Sequence, residues 1–81
     1  MSTARERFRV ILAGQYRHLF TTPEYATAAA RYTPEALADK MIAGLLDGTA
    51  DKGGEGVKTT CKVLGLKHTY KAIRDYLRPQ P

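Results

Sequence analysis

The chain has 81 residues, of which 43% are hydrophobic and 26% charged. That is one small domain of ordinary globular composition, which excludes multi-domain enzymes, α/β barrels, full dinucleotide-binding folds and a chain disordered throughout. Apolar runs stop at three or four residues, as from Val10 to Ala13, so neither a membrane span nor a signal-peptide core is expected.

Thirteen Lys and Arg against eight Asp and Glu give a net charge of +5, and its distribution is uneven. Residues 1–20 carry Arg5, Arg7, Arg9 and Arg17 against Glu6 alone. Residues 21–57 carry twice as many acids as bases. Residues 58–81 carry Lys58, Lys62, Lys67, Lys71, Arg74 and Arg78 against Asp75 alone. Basic ends around an acidic middle suggest a polyanion or an acidic partner. Cys61 is the only cysteine, so no intrachain disulfide forms, and a reducing cytoplasm fits. With only His18 and His68 beside it, a structural zinc site lacks ligands. Cys61 itself reads as a small core residue rather than a nucleophile.

Five helical segments follow in order. The first opens at Ser2 or Thr3, with Thr3 and Glu6 at capping-box spacing. Phe8, Ile11, Leu12, Gln15, Tyr16 and Leu19 then recur at helical steps. Gly14 weakens this helix by about 1 kcal/mol relative to Ala and marks a place where another helix comes close. The second and third segments both begin Thr-Pro-Glu, at Thr22 and Thr33: a capping hydroxyl, a proline in the first turn, and an acid at the positive end. The second is rich in alanine (Ala26, Ala28, Ala29, Ala30) and suited to close packing. The third carries Leu37, Met41, Ile42, Leu45 and Leu46, and Gly48 is its left-handed stop. Residues 48–56 read as a flexible, polar, glycine-rich loop. Val57, Thr60, Cys61 and Leu64 trace a fourth helix ended by Gly65. Leu66, Tyr70, Ile73 and Leu77 trace a fifth, with a frayed tail at 79–81.

The stretch from Lys52 to Thr60 resembles the deviant Walker loop of the ParA and MinD family, which implies a phosphate-binding loop. Val57 stands where that pattern has glycine before lysine, and no strand precedes it, so nucleotide hydrolysis is not expected. An anion touching the loop amides and Lys58 is the weaker form of that reading. Cys61, Leu64, Gly65 and Leu66 resemble the middle of a helix-turn-helix motif, in which a small residue lets two helices cross and glycine makes the turn. Tyr70 and Ile73 come one residue earlier than that family places them. The resemblance covers 57–77 and implies that the second helix of the pair enters a DNA groove. Lys67, Lys71, Arg74 and Arg78 would form a basic stripe along it. The same residues, with Leu64-Gly65-Leu66 before a final amphipathic helix, are also similar to sterile alpha motif domains, which implies a protein-interaction module.

The sequence therefore predicts an all-α fold: a compact bundle of four to five short helices with a helix-turn-helix-like C-terminal pair, spanning 1–78. The expected core is Phe8, Ile11, Leu12, Leu19, Leu37, Met41, Leu45, Val57, Cys61, Leu64, Tyr70, Ile73 and Leu77. The expected function is non-enzymatic nucleic-acid binding, with no cofactor or metal and no membrane association. Lys58 and Lys62 would meet phosphates, while Lys67, His68, Lys71, Arg74 and Arg78 would meet the groove or backbone. The alternative is a protein-interaction module, sterile-alpha-motif-like or a small phage-type protein docking on an acidic host protein. Homodimerisation through a leftover apolar face fits so small a chain.

Overall fold

The computed structural model describes residues 3–78; the tail expected at 79–81 lies outside them. Five α-helices follow one another: α1 (Ala4–Leu19), α2 (Ala26–Arg31), α3 (Pro34–Asp47), α4 (Glu55–Leu64) and α5 (Tyr70–Leu77), with a 3-10 turn at Pro23–Tyr25. No strand occurs among the described residues. The chain is an all-α bundle built on α1, against which α3, α4 and α5 all pack.

Local chemistry explains most of the boundaries. The Thr3 hydroxyl accepts from the Glu6 amide at 3.1 Å, the Thr33 hydroxyl from Ala36 and the Thr69 hydroxyl from Ala72, each satisfying an amide that the helix leaves unpaired. Gly48 and Gly65 sit in the left-handed region at φ 85° and 65°, where a side chain would be strained. At Gly65 the amides of Gly65 and Leu66 bond back to Lys62 and Cys61, a Schellman stop.

Thr22 does not cap as expected. Its hydroxyl donates instead to the Leu19 carbonyl at 2.6 Å, and the chain beyond it starts as a 3-10 turn. The α2 helix buries none of its alanines; its neighbour is the 3-10 turn rather than the core.

The core comprises Phe8, Leu12, Ala13, Tyr16, Ala38, Ile42, Leu45, Val57, Cys61, Ile73 and Leu77. Of the residues expected there, Ile11, Leu19, Leu37, Met41, Leu64 and Tyr70 are only half-buried. On α3 the reason is a rotation. Ala38, Ile42 and Leu45 face α1, one position on from Leu37 and Met41, which are turned toward the edge. Two exposed ion pairs accompany that rotation: Arg9 holds Asp39 through Nε and Nη2 at 2.6 and 3.2 Å, and Arg17 meets Glu35. The pairing runs backward along α3, so the two helices are antiparallel. It also matches the basic first segment of the sequence to acids of its middle.

Close helix approach occurs at Gly56, not Gly14. A Cβ on Gly56 would lie 2.8 Å from Tyr16 Cε1 and 3.2 Å from Leu12 Cδ1, so α4 crosses α1 there. A Cβ on Gly14 would meet nothing within 4 Å.

Candidate nucleic-acid interface

The basic residues of the C-terminal third divide into a group that faces outward and a group that holds the fold. α4 presents Gly56, Val57, Thr60 and Cys61 to the interior. That leaves Lys58 and Lys62, one turn apart, fully outward, with Val63 beside them. Lys67 is exposed two residues beyond the Gly65 stop. None of these three lysines forms an ion pair among the described residues.

The expected stripe on the last helix does not form as a stripe. Thr69 caps α5, so the helix begins at Tyr70 and not near Leu66. Lys67 and His68 therefore lie in the connection at 65–69. Arg78 adopts an extended conformation at the far cap. Lys71 and Arg74 alone remain on the helix. The Lys71 ammonium donates to Asp75 at 2.8 Å, one turn on, which holds the Asp75 carboxyl below its usual range.

Arg74 and His68 are turned inward. Arg74 Nε donates to the Leu45 carbonyl at 2.8 Å, and its guanidinium lies 5.2 Å from the Tyr70 ring centre. The last turn of α3 has unpaired carbonyls and no basic side chain of its own, so α5 supplies the cation. His68 Nε2 lies 2.6 Å from the Lys52 carbonyl, which requires a proton on that nitrogen. Between them the Tyr70 hydroxyl donates to the Ala50 carbonyl at 3.2 Å and accepts from the Lys52 amide at 3.3 Å.

The segment at 48–54 is thus fastened from behind by two side chains, His68 and Tyr70, while Arg74 holds the end of α3 just before it. From the front, the amides of Thr49 and Ala50 bond to the Gly44 carbonyl, and Asp47 accepts from the Thr49 amide and hydroxyl. Those two Thr49 bonds, the hydroxyl first, keep the Asp47 carboxyl ionised below its usual range. Gly44 leaves room for this return: a Cβ there would sit 2.6 Å from Ala50 Cβ.

No family model, curated protein or solved structure matches this chain.

The phosphate-loop pattern folds differently from a phosphate loop. Glu55 onward is helix, and α3 stands before it where a strand would be needed. Thr60 is buried, with its hydroxyl donated to Gly56 O at 2.7 Å. Cys61 is 1% exposed, and burial pushes its thiol up. No group of three or more His, Cys, Asp or Glu suited to a metal ion occurs among the described residues. No helix of the described residues is long and apolar enough to cross a membrane.

A leftover apolar surface was expected, but not its place. The rotation of α3 leaves Leu37 and Met41 facing a groove of about 560 Å³ between that helix and the 48–54 segment. Its apolar lining was visible in the sequence as a stripe, but a stripe of this kind reads as core until a partner helix is known.

Proposed function

We propose that the chain is a non-enzymatic nucleic-acid-binding protein that uses its C-terminal helix pair. The contacts fall mainly to Lys58 and Lys62 on α4 and Lys67 in the connection that follows. The observation that supports this is the exposure of these three ammonium groups without an acidic partner among the described residues, while Arg9, Arg17 and Lys71 are paired and Arg74 is turned inward. Flexible lysines suit phosphate neutralisation, which is driven by release of condensed counterions. A planar guanidinium is better shaped than an ammonium for bidentate reading of a base, and Arg74 on α5 is engaged with Leu45. The function is therefore backbone-directed and weakly selective for sequence, with Arg78 at the far end of α5 as a peripheral contact.

Fluorescence anisotropy with labelled duplex and single-stranded DNA tests this reading at low salt. The triple variant K58E/K62E/K67E should lose binding while its far-ultraviolet circular dichroism is unchanged, because all three positions are exposed. Absence of binding by the wild type overturns the proposal. Capture of an acidic protein by the same lysines would then support the protein-interaction alternative.

A further inference from the structure

The groove along α3 and the outer face of α4 are complementary. Leu37, Met41, Ala43 and Ala50 supply an apolar lining, and Asp47 and Asp51 supply carboxylates. Lys40 also borders the groove, with its ammonium 5.4 Å from the centre of the Tyr32 ring. On α4, Val63 is 60% exposed, one of two large apolar side chains left open to water among the described residues. Lys62 precedes it, and Lys67 follows just past the turn. A hydrophobic groove bearing acids and a valine flanked by lysines therefore occur on the same chain.

We propose that Val63 and its flanking lysines seat in the α3 groove of a second copy of this chain. Valine and the aliphatic lysine stems meet the apolar lining, and the ammonium groups meet Asp47 and Asp51. In this proposal the contact is head-to-tail, the Val63 knob of one copy entering the groove of the next. Each copy in a pair keeps one unused groove or one unused Val63, and assembly continues until a ring closes or the chain ends. One valine and a few lysines bury much less than the roughly 1,200 Å² of a stable interface, so the association is weak. The net charge of +5 opposes it at long range. At about 0.1 M salt that repulsion is screened beyond about 10 Å, whereas pairs at contact distance persist.

Sedimentation equilibrium at moderate salt, taken up to millimolar protein, tests the proposal. The weight-average mass of the wild type should rise with concentration and pass the dimer value. Two variants at exposed positions leave the core and loop bonds intact: V63Q removes the apolar knob, and A43K places an ammonium in the groove. Each alone should stay monomeric. Mixed in equal amounts they should form a one-to-one pair, because each retains the half that the other lacks. A monomeric wild type overturns the proposal. So does either variant associating as the wild type does, or a mixture that stays monomeric. The nucleic-acid reading stands or falls separately, because A43K keeps Lys58, Lys62 and Lys67 and should bind DNA as the wild type does.

Discussion

The Nε–H of Arg74 meets the carbonyl oxygen of Leu45 at 2.8 Å, across twenty-nine positions of sequence, and so fastens α5 to the final turn of α3. A guanidinium here both satisfies an orphan carbonyl and places positive charge at the negative end of a helix. Lysine keeps the charge but not the directed Nε–H. R74K should therefore lower stability by about 1 kcal/mol, a partly exposed charged hydrogen bond, measured by urea unfolding. Its affinity for DNA should be unchanged. A loss of affinity without a loss of stability would mean that Arg74 touches the nucleic acid.

The Tyr70 hydroxyl bridges Ala50 and Lys52 in the segment that walls the groove. Y70F removes both bonds and keeps the ring. Global stability should fall by about 1 kcal/mol. Hydrogen exchange at the amides of residues 49–53 should accelerate more than exchange in α1, since the segment opens locally. Uniform acceleration along the chain would show that the hydroxyl has no special hold on this segment.

Two glycines should respond to alanine in opposite directions. At Gly14 the added methyl meets nothing and relieves the helix of glycine's flexibility, so G14A should stabilise by about 0.5–1 kcal/mol. At Gly56 the methyl enters the Tyr16 ring, which is 3% exposed and has no room to swing. Overpacking of this kind costs about 1–3 kcal/mol. Thermal unfolding of the two variants beside the wild type decides the matter.

These glycines also show what a sequence can and cannot say. Both lie in helical patterns, and nothing local distinguishes open water from a crossing helix. Turn chemistry is local, which is why the stops at Gly48 and Gly65 and the caps at Thr3 and Thr33 were legible. The failure at Thr22 is also local, since its hydroxyl had two acceptable partners and took the Leu19 carbonyl. Helix rotation is not local. Leu37 and Met41 or Ala38 and Ile42 could each face α1, and only packing against a helix distant in sequence decides which set does. Long cationic side chains are the least legible. Arg74 and Lys71 share one helix, yet one turns inward to a carbonyl and the other outward to Asp75. Only the placement of the α3 terminus decides between them.

Stability should fall in acid. Asp39 is held below its ordinary range first by the hydrogen bond from Arg9, Asp47 by its bonds from Thr49, and Asp75 by Lys71. For each, the folded value lies below the unfolded one. The stabilisation is therefore complete above the unfolded value, near pH 4, and is lost as pH falls through the folded values. The melting temperature should be flat from neutrality to about pH 5 and drop below about pH 4. Because these pairs are exposed, added salt should make the acid limb shallower. D39N should do the same.

The salt dependence of DNA affinity tests the assignment of the outward lysines most directly. Neutralising three phosphates predicts a log–log slope of about −3 for the wild type, since each phosphate contributes about −0.9. K62A should make that slope less negative by about one contact, while R74K leaves it alone. A slope near zero, or one that Arg74 changes and Lys62 does not, would contradict the account.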